Sequence, residues 1–78
     1  MTPEQREKDN IRYWHEKRDA YPFHATAPVG VPKPHHVPER LVGPFVCVPI
    51  GEFSRWGFQT EKGRALFLRT YGMAQVLE

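Results

Sequence analysis

The sequence predicts a chain with little regular fold. We expect an N-terminal α-helix over residues 2–20, a central proline-rich extended strap over residues 21–44, and a small C-terminal helical or α+β segment over residues 45–78 without an independent core. Three observations predict this. The 78 residues form a single chain without separable domains, and a chain this small builds only a modest core. One cysteine allows no intrachain disulfide. The stretch PVGVPKPHHVPERLVGP, residues 28–44, holds five prolines and two glycines, which disfavour helix and sheet interiors.

The N-terminal helix has clear start signals but little to bury. Thr2 suits the N-cap, Pro3 suits the first helical position, and Gln5 stands where a capping box needs Glu or Gln. Its substantial apolar side chains form a small spot centred on Ile11 and Trp14 rather than a continuous stripe. Because a helix gains most of its stability from packing such a stripe, we expect either a mostly solvated helix pinned to its own domain or a helix that docks on another subunit.

The central strap is too apolar to be a flexible linker. Each residue before a proline favours extended geometry, and Pro32-Lys33-Pro34 favours a polyproline-like path. Disordered linkers are poor in aromatic and β-branched residues, whereas this segment contains Tyr21, Phe23, Val29, Val31, Val37, Leu41 and Val42. We therefore predict a pre-extended strap that lays apolar side chains onto the surface of a partner.

The C-terminal segment begins with a predicted strand over residues 45–52, which Pro49 confines to an edge or an end of a sheet. The residues that follow, 53–71, allow two interpretations. One is a hairpin with Gly63 in the left-handed region of the turn. The other is a helix capped by Thr60, and we favour a helix over residues 60–71.

Histidine and cysteine spacing argues against a metal site. The four histidines, His15, His24, His35 and His36, lack the tight pairing that preorganises zinc ligands. Adjacent side chains of an extended chain point to opposite sides, so His35 and His36 make a poor chelating pair. Cys47 lies between two valines, and burial there predicts a raised pKa and an inert thiol.

Catalysis has no candidate residues. Ser54, the single serine, lies outside any nucleophile-elbow motif, and no glycine-rich phosphate loop is present. We therefore expect neither an enzyme nor a cofactor, and no small-molecule substrate.

Charge also restricts the function. The net charge is +2, and acids and bases are interspersed without a basic tail, so nucleic-acid binding is less expected than protein binding. No run of about 18 apolar residues is long enough to span a bilayer. The first ten residues resemble neither a secretory signal nor a transit peptide.

These observations predict a non-catalytic accessory subunit that binds along the surface of a large multiprotein assembly. From near-neutral charge and aromatic content we favour a mitochondrial membrane complex, either of the respiratory chain or ATP synthase, located at the inner membrane. We also allow for a peripheral membrane contact. One alternative is a small organellar ribosomal protein, and another is a free adaptor whose proline strap is a ligand.

Partner contacts are expected at Ile11, Trp14, Tyr21, Phe23, Val31, Val37, Trp56 and Phe58. Both tryptophans are expected to be buried more by neighbouring chains than by their own.

Overall fold

A computed structural model describes residues 2–77. It shows an α+β fold with three α-helices, a short 3-10 helix and a four-stranded antiparallel sheet. The expectation of little regular fold without a core is therefore wrong. In chain order the elements are α1 (Pro3–Lys17), β1 (Phe23–Pro28), the 3-10 helix (Pro34–His36), α2 (Glu39–Val42), β2 (Phe45–Ile50), β3 (Phe53–Phe58), α3 (Glu61–Thr70) and β4 (Gln75–Val76).

The sheet has the strand order β2-β3-β1-β4, and every neighbouring pair is antiparallel. Trp56 on the central strand β3 stands opposite Cys47 on β2 and Ala25 on β1. Because side chains alternate along a strand, this register assigns Trp56, Cys47 and Ala25 to one face of the sheet, and the residues next to them to the other face.

The first face of the sheet carries an aromatic core. Trp56, Phe58 and Phe67 are completely buried. The ring of Phe67, from α3, lies 4.6 Å from the Trp56 ring and 5.1 Å from the Phe58 ring between centroids. The indole N–H of Trp56 is buried and has no hydrogen-bond acceptor in the described part of the chain, so ring packing alone holds this side chain. We call this the aromatic core.

The proline-rich segment closes this core. It connects β1 to β2, which are separated in the sheet by β3, and on the way it contributes Val37 and Val42 to the aromatic core. Its prolines start helices rather than prevent them: Pro34 opens the 3-10 helix, and Pro38 is the N-cap residue of α2. The predicted strap does lay apolar side chains onto a surface, but that surface is its own sheet.

The second face of the sheet is covered by α1. Trp14 is buried against Val46 and Val48 of β2. The predicted start of the helix is confirmed, since the Thr2 hydroxyl accepts a hydrogen bond from the Gln5 N–H at 3.2 Å. The helix ends at Lys17, three residues earlier than predicted. Of the two alternatives for α1, packing on its own domain or docking on another subunit, the structure shows packing on its own domain.

The C-terminal segment contains a strand and a helix. The strand predicted over residues 45–52 is β2, and Pro49 lies near the end of this edge strand as expected. The favoured helix is confirmed as α3, because Thr60 caps it by accepting a hydrogen bond from the Gly63 N–H at 3.0 Å. The alternative hairpin is wrong, since β3 pairs with β2 and β1.

Candidate partner-binding surface

One end of the sheet gathers exposed apolar side chains. Pro28, the last residue of β1, stands opposite Phe53, and Phe53 in turn stands opposite Ile50 of β2. The N–H of Val29 donates to the carbonyl of Glu52 at 3.1 Å, which holds the segment after β1 beside the β2–β3 turn. We call Val29, Val31, Ile50 and Phe53 the sheet-end patch.

Local backbone geometry explains why the patch forms. Gly51 has a φ of +67°, which a tight turn between β2 and β3 requires and which glycine adopts without strain. The N–H of Val31 donates to the carbonyl of Pro28 at 3.0 Å, so the chain turns directly after β1. Two turns therefore meet at the same end of the sheet. Their neighbouring residues are large and apolar, whereas turns are normally rich in polar residues.

The patch is well exposed. Val29 is 47% exposed, Val31 50% and Phe53 51%, while Ile50 is half-buried. Single exposed apolar residues are ordinary, but a group of them at one place indicates an interaction site.

A polar rim borders the patch on the side of α1. The Asn10 side-chain amide donates to the carbonyl of Pro49 at 2.9 Å. A Cβ at Gly51 would lie 3.6 Å from a carboxylate oxygen of Glu7. An apolar centre with a polar, hydrated edge is the usual composition of a protein–protein interface.

A second apolar feature lies between α2 and α3. It is a cleft of about 70 Å³, and Leu41 beside it is 62% exposed. Binding pockets for small molecules usually measure ~300–1,000 Å³, so this cleft has room for part of one side chain only. We call it the α2–α3 cleft; its walls are Val37, Pro38, Leu41, Val42, Leu66, Thr70 and Tyr71.

The structure divides the predicted partner-binding residues into three groups. Buried within this chain are Trp14, Val37, Trp56 and Phe58. Half-buried are Tyr21 and Phe23. Exposed are Ile11 and Val31. The expectation that both tryptophans are buried mainly by neighbouring chains is wrong, since Trp14 is 2% exposed and Trp56 0% in the chain by itself. Partner binding by Ile11 and Val31 stays a prediction.

Sequence reasoning missed two members of the patch, Ile50 and Phe53. The signal was present in the stretch Ile50-Gly51-Glu52-Phe53, in which a glycine-containing pair separates two β-rich segments. Had this been recognised as a two-residue hairpin turn, it would have placed both apolar residues at the end of a sheet.

Cys47 is a free, half-buried thiol. Burial raises the pKa of its thiol from 9.0 to about 11, and a hydrogen bond with Ser54 partly opposes this increase. The predicted rise in the pKa of this thiol is thereby confirmed. A thiol with such a pKa carries almost no thiolate near pH 7.

Two of the histidines lie side by side in the structure. His35 and His36 lie on the 3-10 helix, and their ring centroids are 4.2 Å apart. The expectation that they point to opposite sides of an extended chain is wrong, because this segment is helical. Among residues 2–77, no three side chains of His, Cys, Asp or Glu are grouped to hold a metal ion. The same residues include no helix that is both long and apolar enough to cross a membrane.

Comparison of this chain with protein-family models, curated proteins and solved structures found no match.

Proposed function

We propose that the protein is a non-catalytic accessory subunit that binds other protein subunits of a larger assembly through the sheet-end patch. The observation that carries this proposal is the grouping of Val29, Val31 and Phe53 at one end of the sheet, each about half exposed. Desolvating such side chains on a partner contributes roughly 25 cal/mol per Å² of apolar surface.

The core changes the physical basis of this proposal. A chain without its own core would need a partner in order to fold, but this chain has a core of eight buried residues, among them Trp56, Phe58 and Phe67. Support for partner binding therefore rests on the exposed patch and not on a missing core. The subunit we propose is folded before it binds.

The setting that we propose first is a mitochondrial membrane complex of the respiratory chain or ATP synthase, with the subunit at the inner membrane. Its support is compositional: a net charge of +2 and an aromatic content of 13%. An organellar ribosomal protein is the second candidate. The buried Trp56 and Phe58 disfavour it, because only accessible rings can stack on bases.

A free adaptor with a proline-rich ligand strap has less support. Such ligands are recognised as exposed, extended polyproline helices. The segment after β1 instead forms the 3-10 helix and α2, and it buries Val37 and Val42.

Affinity purification of the tagged full chain, with cross-linking and mass spectrometry, tests the proposal. We expect Phe53→Asp and Val29→Asp each to abolish association with the same set of proteins, because a carboxylate would have to be desolvated at the interface. Leu41→Asp is the matched control, since Leu41 is equally apolar and exposed but lies at the α2–α3 cleft. Subunits of a mitochondrial complex should be retained by the wild-type chain, and the tagged chain should fractionate with the inner membrane.

Three outcomes would count against parts of this proposal. Unchanged association of both patch variants would reject the sheet-end patch, and loss with Leu41→Asp alone would move the interface to the α2–α3 cleft. Recovery of ribosomal RNA would favour the ribosomal alternative.

A further inference from the structure

The α1 side of the sheet has a second feature, a small pocket beside the end of the helix. Its volume is about 200 Å³, and its walls are Trp14, Arg18, His24, Arg55 and Leu77. We call it the arginine pocket. It shares no lining residue with the sheet-end patch, and no step of the proposed function uses it.

Two arginines reach the arginine pocket from different elements. Arg55 is on the central strand β3, opposite Thr26 of β1 and Val48 of β2, and it is half-buried. Arg18 is the C-cap residue of α1. The backbone position of an arginine on a central strand is fixed, which limits the part of the sheet face that its guanidinium can reach.

Backbone hydrogen bonds hold the wall that contains Arg18. The Arg18 N–H donates to the carbonyl of Trp14 at 2.8 Å. The Arg18 carbonyl lies 3.0 Å from Nε2 of His24, and since a carbonyl can only accept, this nitrogen carries the hydrogen. The His24 ring also meets the Trp14 ring edge to face, with centroids 5.0 Å apart.

The opposite wall is held through the backbone of His24. Its carbonyl accepts a hydrogen bond from the N–H of Leu77 at 3.2 Å and another from the Arg64 side chain at 3.4 Å. The pocket is therefore bordered by α1, β1, β3 and the segment after β4, all linked by hydrogen bonds. It is preformed.

The charged side chains that line this pocket among residues 2–77 are two guanidinium groups, and none of these lining residues carries a carboxylate. The only hydrogen bond of the Arg18 side chain among residues 2–77 is a long one, 3.5 Å, to Nδ1 of His15. A guanidinium presents a planar fork of N–H donors that matches the oxygens of a carboxylate or a phosphate.

We propose that the arginine pocket binds one small oxyanion, a phosphate or a carboxylate group, between Arg18 and Arg55. Its volume of about 200 Å³ is below the ~300–1,000 Å³ of pockets for drug-sized ligands. The pocket thus takes a single anionic group or a small acid and excludes a whole nucleotide. A free metabolite and a free ion both supply such a group; the shared chemistry is the oxyanion.

Titration of the isotope-labelled full chain by NMR tests this inference. Inorganic phosphate and acetate are added in separate experiments. Each replaces chloride in the buffer, so that the ionic strength stays constant. We expect saturable shifts of the amide signals of His24, Arg55 and Leu77. Arg55→Gln and Arg18→Gln should each weaken binding by about tenfold, the effect of losing one charge-assisted hydrogen bond.

Arg69→Gln is the matched control, because Arg69 is an exposed arginine on α3, which packs on the other face of the sheet. This variant should bind like the wild type. Arg55→Lys keeps the charge but loses the planar fork, and it should fall between wild type and Arg55→Gln. The spectrum of each variant without anion reports whether it is folded.

Comparing the two anions distinguishes a phosphate site from a carboxylate site. Saturable binding of phosphate alone assigns a phosphate site, binding of acetate alone assigns a carboxylate site, and binding of both assigns a general oxyanion site. Shifts that do not saturate, or that persist unchanged in folded Arg18→Gln and Arg55→Gln, would overturn the inference. These results are independent of the sheet-end patch.

Discussion

The carbonyl oxygen of Val42 occupies the space in which a side chain of Gly63 would begin. Val42 ends α2, and Gly63 lies in the first turn of α3. The proline-rich segment is thus seated directly on the backbone of α3, at the point where it turns into β2. A glycine inside a helix, which weakens the helix in isolation, here permits the closest contact between two elements.

Gly63→Ala should therefore destabilise the protein. In an exposed helix interior this substitution stabilises by roughly 0.5–1 kcal/mol. Here the added methyl group would overlap the Val42 carbonyl, and overpacking costs about 1–3 kcal/mol. Urea denaturation measures whether the substitution lowers or raises the free energy of unfolding. Gly72→Ala is the control, because, apart from its chain neighbours, no atom of residues 2–77 lies within 4 Å of a Cβ at Gly72; it should change the free energy of unfolding by less than about 0.5 kcal/mol.

The isolated chain should unfold in one cooperative transition. Phe67 is fully buried between the rings of Trp56 and Phe58, so the core needs no partner. Phe67→Ala should cost about 3–5 kcal/mol, which is comparable with the whole stability of a domain this small, and should leave the chain largely unfolded. Calorimetry of the purified wild type checks this. A broad, non-cooperative melt would mean that the core forms only in an assembly.

Local signals predicted the individual elements well. Thr2 and Thr60 cap helices as their sequence positions indicate, and Pro49 lies on an edge strand. These features depend on residues that are close in sequence, where capping and backbone geometry decide the structure.

Long-range pairing could not be predicted from the same signals. The strand β1 was hidden inside the proline-rich segment, because Phe23–Pro28 ends in a proline and contains two alanines. Those alanines, Ala25 and Ala27, are fully buried, and their small size leaves room for the rings of the aromatic core. Without β1, no second strand is available to pair with β3. Burial of the apolar residues of the strap is then expected only on another protein. The sheet-end patch was missed for the same reason, since it exists only where β1 meets the β2–β3 turn.

Loss of the two helix caps, at Thr2 and at Thr60, should lower the stability of the protein by unequal amounts. Thr60→Ala removes the acceptor for the Gly63 N–H, and such a loss costs about 0.5–2 kcal/mol. Thr2→Ala removes the equivalent bond to Gln5, but the first turns of α1 are exposed and can fray without loss of core contacts. We expect Thr60→Ala to lower the denaturation midpoint clearly and Thr2→Ala to change it little. Equal effects would mean that the start of α1 is as firmly held as α3.

Stability should decrease in alkaline solution through Cys47. Burial raises the pKa of this thiol from 9.0 to about 11, so between these values the unfolded chain releases a proton that the folded chain keeps. Folding is therefore favoured less as the pH rises from about 9 to about 11, and this contribution is constant below pH 9. Denaturation of wild type and Cys47→Ala at several pH values measures the difference. The free energy of unfolding of the variant should decrease less between pH 9 and pH 11 than that of the wild type. An identical dependence on pH in both proteins would contradict the assignment to Cys47.

Trp14→Ala should release α1 while the rest of the fold persists. Trp14 is the one buried residue of this 15-residue helix, and isolated helices of about 12–15 residues are marginal in water. The aromatic core lies on the opposite face of the sheet and shares no buried residue with the cluster around Trp14. Hydrogen exchange should then show α1 amides losing protection, while amides of β3 and α3 stay protected. Tyr13→Ala, at the exposed neighbouring position, should leave α1 protected. Simultaneous loss of protection in α1, β3 and α3 would instead show that Trp14 stabilises the whole domain rather than its helix alone.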